Sequence, residues 1–260
     1  GGIITITEDD AMAIAASEAT GALTLTANGP ITQTTDATAG PIDAISTSSF
    51  NSGANVITLT QANDFADAVS LSNTGTNLVQ ITDANAIDLG TINVGGDLTV
   101  NSTGTITDSG AVTVTGKAKL VSGGNAITLG DGTTANFGSL DFAGSTVTIS
   151  EGSDMMIAES EATGALSLTA SGKIEQNGRI DADNTTLLVN TGGTNNNIVL
   201  ENANNDFTGA VSITATDTTS DVSVAHLNAI DLGNVTVGQN VIYNSATFWV
   251  GSGNFIDFLS

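Results

Sequence analysis

The sequence predicts an all-β fold, a β-helix (β-solenoid) assembled from half repeats of about 71 residues within a long repeat of 143 residues. Three observations carry this reading. The chain repeats itself at long range: Ser17–Gly29, SEATGALTLTANG, returns as Ser160–Gly172, SEATGALSLTASG, with 11 of 13 positions identical. Short apolar-polar-apolar triplets recur about every ten residues, the signature of strands with one face buried. Aromatic residues make up only 4% of the chain, which suits a narrow core of stacked Val, Ile and Leu better than a sandwich core.

The long repeat starts without a gap. Adding 143 takes Gly1–Glu8 (GGIITITE) onto Gly144–Glu151 (GSTVTISE), Met12 onto Met155 and Ile14 onto Ile157. Asn85–Gly90, NAIDLG, returns unchanged at Asn228–Gly233. Asn63–Phe65 returns at Asn205–Phe207, 142 later, so one residue is expected to be lost and regained between these landmarks. Residues 1–143 therefore form a first long repeat and residues 144–244 a second, incomplete one of the same continuous β-helix. Residues 245–260 form a terminus of different character.

Each long repeat divides again. Ile57-Thr-Leu59, Ile127-Thr-Leu129 and Ile198-Val-Leu200 are spaced 70 and 71 apart. Each follows an Asn-rich turn and precedes an Asn-Phe element ending at Phe65, Phe137 and Phe207. The pattern L-[ST]-[LV]-x-x-x-G-x-I marks Leu23–Ile31, Leu98–Ile106 and Leu166–Ile174. Units of this kind bury their apolar faces only against their neighbours.

In chain order the strands are Ile57-Thr-Leu59, Val69-Ser-Leu71, Val79-Gln-Ile81, Ile87-Asp-Leu89, Leu98-Thr-Val100, Val112-Thr-Val114 and Ile127-Thr-Leu129. Val147-Thr-Ile149, Leu166-Ser-Leu168 and Val222-Ser-Val224 follow. β-branched residues fill the inward positions, and Gly, Asn, Asp and Ser between them tolerate left-handed turns. Ala11–Ala19 comes nearest to a helix, but its Ser, Thr and Gly punctuation predicts strand and loop. Coils of about 20 to 25 residues would number ten or eleven, a rod of about 50 Å at about 4.8 Å per coil. Asn85, Asn125 and Asn228 are expected at equivalent corners, their amides bonding neighbouring coils.

Composition bounds the partners. Four Lys and Arg stand against 27 Asp and Glu, a formal charge of -23. That argues against nucleic acid and anionic membranes, which both need basic residues. No run approaches the roughly 18 apolar residues of a membrane helix. The absence of Cys excludes disulfides and thiol chemistry. The sequence opens inside a repeat and is read as a mature product or an excised segment.

The G-x-L-x-L-x-x-x-G-x-I pattern at Gly21–Ile31 and Gly164–Ile174, with NAIDLG and N-D-F, resembles the repeats of filamentous-haemagglutinin-type exoproteins. These are bacterial surface adhesins exported by two-partner secretion. The resemblance runs to about Asn244 and implies a right-handed parallel β-helix, a secreted or cell-surface location, and an outer-membrane secretion transporter as partner. It also implies a host or cell-surface receptor, which no residue here identifies.

The terminus departs from the repeat. Tyr243, Phe248, Trp249, Phe255 and Phe258 place five of the ten aromatic residues in the last eighteen positions. Two readings stand side by side: a cap over the last coil's open edge, or an interface to neighbouring subunits.

No catalytic pattern emerges, and no catalytic or cofactor-binding residue is assigned. The single histidine, His226, lacks flanking glycines, and the single arginine, Arg179, lacks the Lys two residues on that pectin hydrolases of this fold carry. The repeat counterpart of His226 is Asp83, which makes His226 a loop or corner residue. Repeated carboxylates such as Glu8 with Glu151 lie several coils apart, too far for acid–base pairing at roughly 5 to 10 Å. The local clusters Glu8-Asp9-Asp10 and Asp181-Ala-Asp183 have the oxygen chemistry for Ca2+, but acids on strands also keep edges from pairing. Thr-x-Thr pairs such as Thr5/Thr7 and Thr24/Thr26 suggest an ice-binding file only if they align coil by coil. The expected function is that of a non-enzymatic rod for display or adhesion. The alternative is a self-assembling filament or surface-layer subunit joined through its aromatic end.

Overall fold

The computed structural model of the chain describes residues 2–37, 39–193, 196–245, 248–250 and 256–258. It consists of short parallel strands, with no helix among the described residues. The chain forms two compact units, Gly1–Gly138 and Ser139–Ser260. Each is a β-solenoid, and together they hold about 12 turns rather than ten or eleven. The excess arises because many coils close in 19 to 21 residues.

In the first unit the parallel pairing runs Ile4 to Leu23, Leu23 to Ser48, Ser48 to Val69 and Val69 to Leu89, steps of 19, 25, 21 and 20 residues. It continues from Ile87 to Ile106 and Ile106 to Ile127. A second ladder stacks Ile31, Ile57, Val79, Leu98 and Ala118, all fully buried. Alternation explains the strands: in Leu23–Ala27 and Leu98–Ser102 every second residue points inward, and the Thr or Asn between them faces out. Each fully buried Ile, Leu or Val contributes about 1.5–3 kcal/mol, so the ladder is the main source of stability. Ala11–Ala19 forms two short strands, Met12–Ile14 and Ser17–Ala19, as its punctuation predicts.

In the second unit the corresponding ladder runs Val147 to Leu166, Thr186, Val211 and Leu232, steps of 19, 20, 25 and 21. The long coil has moved. In the first unit eight residues separate the strands Ile31–Gln33 and Ile42–Ala44. In the second only three separate Ile174–Gln176 from Ile180–Ala182. The deficit is made up in the next coil, between Thr186–Asn190 and Ile198–Leu200 and beyond. The offset between counterparts therefore falls from 143 at Ile31 and Ile174 to 138 at Ile42 and Ile180, and returns to 143 at Val79 and Val222. Five residues are lost and regained, not one. Loops absorb the change because strand register cannot slip by one residue without turning every side chain to the wrong face.

The half repeat is visible in its turns. Gly53, Gly123 and Gly193 sit 70 residues apart with φ of +58°, +59° and +49°, a left-handed conformation that glycine adopts without strain. Ser52 and Ser122 each donate a 2.6 Å hydrogen bond to the carbonyl of Asn55 and Asn125. The amides of Asn55, Asn125 and Asn196 then donate to carbonyls one coil earlier, Asn28, Thr103 and Ser171, at 3.0, 2.7 and 3.1 Å. Asn125 thus behaves as expected, with Asn55 and Asn196 as its counterparts. Asn85 and Asn228 occupy a different corner and act there through their backbone N–H groups. The difference lies in what precedes them: Asp83 and His226, two residues earlier, face those N–H groups.

Candidate functional site

Most buried side chains in each unit are apolar, and at one corner buried and half-buried polar side chains bond one another and the backbone of neighbouring coils. In the first unit this corner holds Gln33, Asn63 and Asp83. Asn63 sits where the long strand Ile57–Phe65 turns, and its Oδ1 accepts from Gln33 Nε2 at 2.7 Å and from the Ile42 N–H at 2.8 Å. Its Nδ2 donates to the carbonyls of Leu59 and Thr82 at 3.2 and 3.0 Å. Gln33 Oε1 accepts from the Gln61 N–H at 3.0 Å. One amide thereby ties together three successive coils, and its buried atoms find the partners that burial demands.

Asp83 completes the corner. Its Oδ2 accepts from the Phe65 N–H at 3.0 Å and its Oδ1 from the Asn85 N–H at 2.7 Å. Burial pushes its carboxyl above the usual carboxylate range, and the charge of Asp64 adds to the rise. The two backbone donors pull the other way without cancelling the effect of burial.

The second unit rebuilds the corner with Gln176, Asn205 and His226. Asn205 Oδ1 accepts from Gln176 Nε2 and from the Ile180 N–H, both at 2.9 Å. Its Nδ2 donates to Gln176 Oε1 at 2.8 Å and to the carbonyls of Leu200 and Ala225 at 3.3 and 3.2 Å. His226 takes the place of Asp83: the Phe207 N–H points at its Nε2 at 2.7 Å and the Asn228 N–H at its Nδ1 at 3.0 Å. Its ring also stacks on Phe207, with centroids 5.7 Å apart. His226 therefore lies at a corner, within the expectation of a loop or corner position, and a backbone N–H faces each of its ring nitrogens. Sequence reasoning did not single out Gln33, Asn63 and Asn205 as buried, or Gln176 as half-buried beside Asn205. The signal was present, since I-T-Q and I-E-Q place Gln at an inward position of a triplet, where an apolar residue belongs.

The aromatic terminus is described in part. Tyr243 lies half-buried in the strand Val241–Asn244, and burial pushes its phenol well above its ordinary value. The backbones of Phe248 and Trp249 pair with Ile230 and Asp231, and that of Phe258 pairs with Val237. Phe255 lies outside the described residues. Exposed Ile242, Val250 and Ile256 accompany them.

The carboxylates do not converge. Among the described residues no group of three or more His, Asp or Glu is placed to hold a metal ion. In the Asp181–Asp183 cluster, Asp181 Oδ2 is 2.6 Å from Arg179 Nη2. Thr5 and Thr7 stack on Thr24 and Thr26, but the next coil offers Ser49 and Asn51, so this threonine file ends after two coils.

A family model described as "Repeats of unknown function (DUF5649)" matches residues 1–72, 75–141 and 144–214. The chain belongs to this family. Its three matches follow the half repeats that the turns at Gly53, Gly123 and Gly193 define in the structure. Neither a search of curated proteins nor a search of solved structures found a match.

Proposed function

We propose that the chain is a non-enzymatic structural module of an adhesin-like bacterial surface exoprotein, a stiff rod that displays or spaces binding regions. The observation that supports this reading is the use made of the polar side chains at the corner. Gln33, Asn63, Gln176 and Asn205 spend their hydrogen bonds on one another and on backbone of adjacent coils, which fixes coil to coil. The acidic exterior keeps such modules soluble and apart. An outer-membrane transporter would deliver the module to the surface, as the resemblance to two-partner-secretion adhesins suggests.

The test is solution scattering across a concentration series, with and without calcium. A mass near 25.9 kDa throughout, with the scattering of an elongated particle, is expected. A compact particle would overturn the spacer. A second reading, end-to-end assembly through the terminus, draws on the exposure of Ile242, Val250 and Ile256 beside Trp249. It requires growth into long species that Trp249→Asp abolishes.

A further inference from the structure

Outside the Gln176–Asn205–His226 corner, the second unit carries side chains that the first unit does without. Glu159 and Arg179 directly precede the paired residues Ser160 and Ile180, where Ala16 and Pro41 precede Ser17 and Ile42 in the first unit. Leu227 follows His226, where Ala84 follows Asp83. Asn204 comes with an added residue: four residues separate Leu200 from Asn205, but three separate Leu59 from Asn63. The first unit builds its corner with small residues at these places, so the scaffold does not require the larger ones.

The larger side chains come together. Glu159, Arg179, Asn204 and Leu227 line a shallow groove of about 620 Å³ with Asn202. Arg179 Nε donates to the Asn204 carbonyl at 2.8 Å and its Nη2 to Asp181 Oδ2 at 2.6 Å, which pins the lengthened loop. The Asn204 N–H donates to Asn202 Oδ1 at 3.0 Å. A second depression of about 330 Å³, lined by Asn177, Val199 and Glu201 among others, shares Asn202 with the first. The groove climbs four successive coils, those of Met155, Ile174, Ile198 and Val222. Glu159 and Leu227 are thus three steps apart, about 14 Å at about 4.8 Å per coil.

The chemistry of the groove selects a ligand class. The charge of Arg179 is met by Asp181, so the outstanding charges are those of the exposed carboxylates Glu159 and Glu201. They stand in a chain of formal charge -23, whose field gathers cations and repels anions. No aromatic ring is among the lining residues to offer a flat face to a sugar. The amides of Asn202 and Asn204 bring both donors and acceptors, the complement of a peptide main chain. Leu227 is 53% exposed at the far end, an apolar contact with little cover of its own.

We infer that this groove binds an extended peptide segment carrying a Lys or Arg and, about four residues away, an apolar side chain. The basic group meets Glu159, the main chain meets Asn202 and Asn204, and the apolar side chain covers Leu227. Four residues of extended chain span about 14 Å at about 3.4 Å each, which matches the separation of the two anchors. The site goes beyond the reading of the chain as a rod, and its failure would leave the scattering test of that reading untouched.

Heptapeptides displayed on phage and selected on the whole chain test this, with affinities then measured on the enriched peptide made synthetically. Enriched sequences are expected to pair a basic with an apolar residue three to five positions apart, and to bind more weakly as salt rises. Glu159→Ala should weaken the peptide about two- to fivefold and Leu227→Ala about five- to tenfold. Both changes install the residue that the first unit already carries, so the corner should still form. No enrichment, enriched peptides without the basic–apolar pair, or peptides that bind the double variant as tightly as the native chain would each overturn the proposal. So would capture of neutral oligosaccharides that the same two substitutions abolish, which would assign the groove to sugars.

Discussion

The two corners, Gln33–Asn63–Asp83 and Gln176–Asn205–His226, solve one problem with different chemistry. Both must satisfy two backbone N–H groups, those of Phe65 and Asn85 in the first unit and of Phe207 and Asn228 in the second. A carboxylate has an oxygen for each. A neutral imidazole has one accepting nitrogen, because the other carries its proton. The second corner therefore leaves one N–H facing a ring nitrogen that cannot accept it. What His226 gains in exchange is its stacking on Phe207, and it does not bury a carboxylate beside Asp206 as Asp83 does beside Asp64. The difference teaches that this position asks for two acceptors, and that each unit meets the request at a different cost.

The comparison breaks first if the shared amide is removed. Asn63→Leu and Asn205→Leu each strand several buried partners, and each should destabilise its own unit by about 3–5 kcal/mol, summing unsatisfied groups at about 1–3 kcal/mol each. Hydrogen exchange resolved by residue should localise the loss to the unit that carries the change. A uniform loss across both units, or none, would refute the corner's role as the local tie.

A smaller effect sharpens the contrast. Asp83→His imports the second unit's solution into the first and should cost about 1–3 kcal/mol, since it leaves one buried N–H without an acceptor. Urea titration with residue-level exchange measures it. An unchanged first unit would mean that a histidine serves the two donors as well as a carboxylate does.

Acidity separates the corners further. The carboxyl of Asp83 is raised in the folded chain by burial, so the folded state holds this proton more tightly than the unfolded state. Its contribution is fully present below the unfolded carboxyl value, about pH 3.9, and is lost as pH rises through the folded value. The stability advantage of the native chain over Asp83→Asn should therefore narrow as pH rises through and above the carboxyl range. A gap that widens instead would show that the two backbone donors outweigh burial.

The turns give the smallest effect. Gly123→Ala forces an L side chain into φ +59° with its Cβ 3.1 Å from the Ser102 carbonyl oxygen, whereas at Gly53 the nearest atom is 3.9 Å away. The left-handed conformation alone costs about 1–2 kcal/mol, so Gly53→Ala should lose about that much and Gly123→Ala somewhat more. Thermal denaturation of the two variants distinguishes them.

Much of this was legible without coordinates. Triplets such as Val69-Ser-Leu71 and Leu166-Ser-Leu168 announce strands because inward and outward alternation is a local property of the pleat. The 143-residue self-similarity announces a solenoid because only stacked units profit from identical coils. The corner was not legible in the same way. Gln33 and Asn63 are 30 residues apart and His226 and Phe207 are 19 apart, and no local pattern says that they meet. The aromatic terminus was conspicuous as composition, but composition does not say which neighbours its rings find.

The sequence by itself determined the strands, the turns, the repeat period and the solenoid, because each follows from alternation, glycine placement and self-similarity along the chain. Only the tertiary structure decided which polar residues are buried, and where five residues are dropped between Ile31 and Ile42 and restored by Val79 relative to their counterparts. Those depend on closing each coil against its neighbour. Hydrogen-bond satisfaction and strand register act there across about twenty residues of intervening chain, beyond the reach of any local pattern.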